Sequence, residues 1–146
     1  SLPHSTQALY IQYCINADNE GFISNPKTIM RNVSCAEKDI DLLIENGFIF
    51  YFKTGVCVVT HWLIHNTLKN DRNNATTYKT ERNCLDLDES KKYVIKADID
   101  INITFHYPTG FQMDSNWIPT GNQSSKSSKS KQNSYYIGSK RKLVQS

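Results

Sequence analysis

Apolar residues never run long enough in this chain to span a bilayer, and no basic-then-apolar leader precedes a small-residue cleavage site. Neither membrane insertion nor secretion is expected, and the default location is cytoplasmic. Cysteine is sparse: Cys14, Cys35, Cys57 and Cys84 stand far apart with no C-x-x-C spacing, which leaves a zinc ribbon unsupported. Cys14, Cys35 and Cys57 read as small core hydrophobes in a reducing compartment. Also missing are a phosphate-binding glycine loop, a dinucleotide glycine pattern and any Ser-His-Asp or Cys-His order, so no enzyme and no cofactor are expected. Acidic residues stop at Asp114. The net charge of the 146 residues is only +3, but Lys126, Lys129, Lys131, Lys140, Arg141 and Lys142 all follow that point. A polyanion partner is therefore to be sought first at the C-terminal end. The chain starts on Ser1-Leu2-Pro3 without a methionine and reads as a fragment of a longer one.

What is present suits one modest domain with appendages. From Ser5 to Ala17, Ala8, Ile11 and Ile15 recur on one face at helical spacing, with Tyr10 and Cys14 beside them. Asp18-Asn19-Glu20-Gly21 stops this first helix, and Phe22-Ile23 is a short extended piece able to pair with a later strand. Ser24 or Asn25 before Pro26 starts a second helix that runs to about Val33. Ser34-Cys35-Ala36-Glu37 has the form of a capping box, and Ala36, Ile40, Leu43 and Ile44 give a third helix its buried stripe up to Asn46-Gly47. The period then changes. Phe48–Phe52 and Val56–Thr60 are β-branched or aromatic runs separated by Lys53-Thr54-Gly55, which predicts a β-hairpin. Three helices followed by a hairpin is the order of a winged helix-turn-helix, so the predicted class is α+β with that domain over residues 1–66.

Residues 67–108 read as a connecting segment. Within it, Lys92–Tyr107 alternates cleanly, with Ile99, Ile101, Ile103 and Phe105 on one side and Asp98, Asp100 and Asn102 on the other, which predicts a half-buried strand partnered by Tyr93-Val94-Ile95. Residues 109–146 turn to Ser, Lys, Gln and Asn, a composition that predicts a disordered tail.

The third helix would ordinarily enter the major groove of DNA, yet Glu37, Asp41 and Glu45 lie at i, i+4 and i+8 and form one outward acidic stripe. Contact with a protein through this stripe and contact with DNA through the same face both stay open. Lys53 at the hairpin tip, Lys69, Arg72, Lys79, Arg82 and the tail cluster Lys140, Arg141 and Lys142 form the better DNA footprint. Tyr135 and Tyr136 add stacking faces suited to single-stranded DNA, though a solvated linker has the same composition. His61 and His65 are half of a zinc site with nothing near in sequence to complete it, and read as a structural pair flanking a buried Trp62. Asp98 and Asp100 read as a solvated strand face, and no metal is expected.

Leu2 to Tyr10, Asn16 to Phe22, Asn25-Pro26-Lys27, Ile29-Met30-Arg31, the Asp41-Leu42-Leu43-Ile44 to Gly47-Phe48-Ile49 turn, Gly55-Val56 to His61-Trp62 and Ile64-His65-Asn66 together resemble phage replication initiation proteins. These are the replisome organisers of phages of Gram-positive bacteria, whose N-terminal domain is a winged helix similar to that of DnaD-type primosomal proteins. The likeness runs from Leu2 to about Glu81 and then fades to scattered matches such as Gln112-Met113-Asp114. Two departures stand out: Asn73-Asn74-Ala75 replaces an aromatic residue and a proline, and the family's short basic and apolar segment before Leu2 is missing. The resemblance implies a protein of the bacterial host cytoplasm that binds origin DNA, duplex or single-stranded, forms a homo-oligomer and recruits host helicase-loading proteins. A winged-helix transcriptional regulator and an adaptor without DNA affinity are the alternatives.

Overall fold

The computed structural model describes residues 1–66 and 75–111. The elements are α1 (His4–Asn16), β1 (Phe22–Ile23), α2 (Pro26–Asn32), α3 (Glu37–Glu45), β2 (Ile49–Tyr51), β3 (Cys57–Val59), α4 (Trp62–His65), α5 (Lys79–Arg82), β4 (Leu85–Leu87), β5 (Tyr93–Ile95) and α6 (Ile101–Thr104). The fold is mixed α+β. β3 lies in the middle of a three-stranded antiparallel sheet, pairing Phe22 with Val58 on one side and Phe50 with Val58 on the other.

Every residue of β1, β2 and β3 is buried, and the period of two sorts them onto two covered faces. Ile23, Ile49, Tyr51, Cys57 and Val59 face the helices, where they meet Leu9, Tyr13, Ile29, Met30, Ile40, Leu43 and Ile44. Phe22, Phe50, Phe52, Val56 and Val58 face the other way, onto Leu85, Tyr93, Ile95 and Phe105. Residues 85–105 are thus the second lid of the sheet, and this is why the strands read as unbroken apolar runs with no polar alternation. The two lids close on specific pairings: Phe52 bridges Phe105, whose rings stand 4.8 Å apart, and Tyr93 N–H donates to the Thr60 carbonyl at 2.9 Å.

Local chemistry fixes the helix ends. Pro26 opens α2, where its missing N–H costs nothing. α2 and α3 both end in Schellman turns: Cys35 N–H donates to the Met30 carbonyl and Phe48 N–H to the Leu43 carbonyl, each at 2.9 Å. The left-handed residue is Gly47 (φ 81°) in the second but Ser34 (φ 57°) in the first. Ser34 therefore does not cap α3 as expected. Ala36 occupies the cap position, and the buried Asp39 carboxylate accepts its N–H at 2.9 Å.

Two further expectations are corrected. In α1 the core face is Thr6, Leu9 and Tyr13, while Ile11 and Ile15 are 56% and 68% exposed and Ala8 is exposed too. Thr6 can take the core because its hydroxyl reaches Asp39 Oδ1 at 2.7 Å, and Tyr13 because its hydroxyl reaches the Pro26 carbonyl at 2.9 Å. The long strand read over Lys92–Tyr107 is broken. β5 holds only Tyr93–Ile95 and pairs with β4. Asp100 then accepts the Asn102 N–H at 3.0 Å and starts the single turn α6, which leaves Ile103 72% exposed before Phe105 returns to the core.

Candidate nucleic-acid interface

The hairpin tip, with Gly55 at φ 98°, is braced from the second lid rather than free. Lys53 N–H donates to the Thr104 carbonyl at 2.9 Å, Lys53 Nζ to the Asn102 carbonyl at 2.6 Å, and Thr54 Oγ1 to the buried Glu81 carboxylate at 2.7 Å. Lys53 keeps an exposed ammonium with two further donors on a rigid tip.

Beside this tip lies a groove of about 630 Å³ between the first turn of α2, the first turn of α3 and the hairpin. Lys27, Glu37, Tyr51, Lys53 and His106 contribute to its lining. Lys27 Nζ stands 3.3 Å from Glu37 Oε2, both side chains more than half exposed. The backbone N–H of His106 donates to the Tyr51 carbonyl at 2.7 Å, and the exposed imidazole stands edge-on to the Tyr51 ring with centroids 5.6 Å apart. Burial pushes the Tyr51 phenol up to about 12, so it stays neutral.

Of the residues assigned to the acidic stripe, Glu37 and Glu45 are exposed and Asp41 is half-buried. Asp39, between them, points into the protein instead and holds α1 to α3 through Ser5 and Thr6. Burial raises its carboxyl, but the hydrogen bonds from Ala36, Thr6 and Ser5 and the charge of Lys38 outweigh that, leaving it below the ordinary aspartate value.

The basic residues divide. Lys79 is exposed on α5. Arg82 is engaged by the protein: its Nε lies 3.2 Å from Glu20 Oε1, its Nη1 donates to the Leu85 carbonyl at 2.9 Å, and its guanidinium sits 5.3 Å from the Tyr93 ring centroid. Glu20 also accepts the Thr76 N–H, and Asp18 accepts the Thr76 hydroxyl. The turn after α1 is thus a dock for residues 76–93. Lys69, Arg72, Tyr135, Tyr136, Lys140, Arg141 and Lys142, and with them almost all of the expected tail, lie outside the described residues.

His61 and His65 stand on either side of a half-buried Trp62, whose indole N–H donates to the Asn19 carbonyl at 3.1 Å. His61 Nδ1 is 3.0 Å from Thr60 Oγ1, and burial, with Lys92 and His65 nearby, lowers its pKa. Cys57 is fully buried and Cys14 and Cys35 pack against the same cluster. Among the described residues no three His, Cys, Asp or Glu side chains are grouped to hold a metal, and no helix is long and apolar enough to cross a membrane.

Lys27 and His106 are groove residues that the sequence reading does not pick out. Lys27 has a signal, since Pro26 before it fixes the first turn of α2 beside the hairpin. His106 has none, because its position depends on the Phe52–Phe105 bridge between distant segments. No family model, curated protein or solved structure matches this chain.

Proposed function

We propose that this chain is a DNA-binding phage replication initiation protein built on a winged helix, which binds origin DNA, self-associates and recruits host helicase-loading proteins. The observation that carries the DNA-binding part is the order of elements. A helix, a short strand, two helices joined by a tight turn, and a hairpin whose second strand enters between the first strand and its own partner support a plan of winged-helix type, in which the hairpin is turned toward the DNA backbone. The exposed Lys53 at a braced tip supports that orientation. The spaced matches between Leu2 and Glu81 support the replication part. The acidic α3 suits a protein partner or a second copy better than a phosphate backbone.

Origin-containing duplex, promoter-containing duplex, random duplex and single-stranded DNA, each titrated with the chain at two salt concentrations, test the proposal. An origin preference that persists at the higher salt is the expected result. A preference for a promoter over an origin replaces it with a transcriptional regulator. Absence of binding to every DNA replaces it with an adaptor, a reading favoured by the exposed Ile11 and Ile15 beside an apolar groove at Tyr10, Cys14 and Trp62.

A further inference from the structure

We propose that the groove between α2, α3 and the hairpin tip takes single-stranded DNA in preference to duplex, an inference that rests on the DNA-binding reading above and names its substrate form. A volume of about 630 Å³ is that of a small-ligand cleft, suited to one or two nucleotides of a flexible strand. Lys27 and Lys53 come to it from two different walls, Lys27 in an exposed ion pair with Glu37 Oε2 and Lys53 hydrogen-bonded to the Asn102 carbonyl. Together they offer two cations to the backbone of one strand. His106 supplies an exposed aromatic ring, set edge-on to the Tyr51 ring, and a ring of that kind is useful only to a base whose face is free.

The surrounding charge selects against duplex. A duplex laid along α3 would bring phosphates onto Glu37, Asp41 and Glu45 in turn. Among the described residues that line the groove, the one carboxylate a strand meets is Glu37, at the start of the helix. When a phosphate takes over Lys27, the Glu37 carboxylate is released to accept from an exocyclic amino group of cytosine or adenine, an edge exposed in an unpaired base. Glu37 is then a brake on a bare backbone and a partner for an unpaired base.

The test is anisotropy of a labelled mixed-sequence single strand and of its duplex, at one moderate salt concentration, using the whole chain as wild type, Lys27→Gln/Lys53→Gln and His106→Ala. All three positions lie at the surface, and thermal melts of each variant check that folding is unchanged. The wild type is expected to hold the single strand more tightly than the duplex. The double variant should lose about tenfold or more on the single strand and His106→Ala about fivefold or more, and each should lose less on the duplex than on the single strand. Duplex bound as tightly as the single strand, or a double variant that binds the single strand like wild type, overturns this proposal while leaving DNA binding in place. No binding to either form overturns both.

Discussion

Thr6 donates its hydroxyl to Asp39 Oδ1 at 2.7 Å, and the same carboxylate closes the start of α3 through the Ala36 N–H. One buried acid therefore joins the first helix to the third and caps the third. Asp39→Ala leaves the Thr6 hydroxyl and the Ala36 N–H without this acceptor, and it should lower unfolding stability by about 2 to 4 kcal/mol. Because the folded carboxyl lies below the ordinary aspartate value of about 3.9, its contribution is complete above that pH and is lost as pH falls through the folded value. Urea melts of wild type and Asp39→Ala should therefore differ most near neutral pH and draw together as the pH drops below about 4. A gap that stays constant to low pH would show that the carboxylate charge is not the source.

Residues 75–111 are expected to be required for folding. Without them Phe22, Phe50, Phe52, Val56 and Val58 lose their cover. At roughly 1.5 to 3 kcal/mol per buried side chain, that loss is comparable to the whole stability of a small domain. A fragment of residues 1–66 should be aggregated or molten by near-ultraviolet circular dichroism, and a fragment of residues 1–111 should melt cooperatively. A cooperative melt of residues 1–66 at the temperature of the longer fragment would contradict this.

Local signals carried the first half of the fold. Pro26, the Asn46-Gly47 stop and the glycine of Lys53-Thr54-Gly55 each act on their own neighbours, and α2, the end of α3 and the hairpin fall where they indicate. The failures have two sources, one distant in sequence and one local. In α1 two stripes compete, and Thr6 wins a core position only through Asp39, thirty-three positions away. Over residues 98–105 strict alternation pointed to a strand, but Asp100 is a better helix cap than a strand residue, and its local hydrogen bond decides. The groove was half legible: Lys53 is at a readable tip, whereas His106 reaches it through a pairing that no spacing encodes.

Ser34 holds a left-handed conformation that suits glycine. Its side chain is exposed, and its turn needs only its backbone. Ser34→Gly should stabilise the protein by about 0.5 to 1 kcal/mol, measured by denaturant midpoint. Destabilisation of the same size would mean that the serine side chain supports the turn.

Arg82→Ala and Glu20→Ala should each cost about 1 to 2 kcal/mol, since the pair is mostly shielded and both residues hold residues 76–93 to the turn after α1. In a double-mutant cycle the two should couple by about 0.5 kcal/mol or more. Additive effects would mean that the guanidinium is free to serve another partner.

DNA binding is central to the proposed function, and the most direct measurement of it is the affinity of the whole chain for DNA across a salt series, with and without residues 121–146. Log affinity should fall linearly with log salt, and removal of the cluster containing Lys140, Arg141 and Lys142 should reduce both affinity and slope, the slope by about 0.7 to 0.9 for each phosphate that is no longer neutralised. An affinity indifferent to salt, or no measurable affinity at low salt, would contradict it.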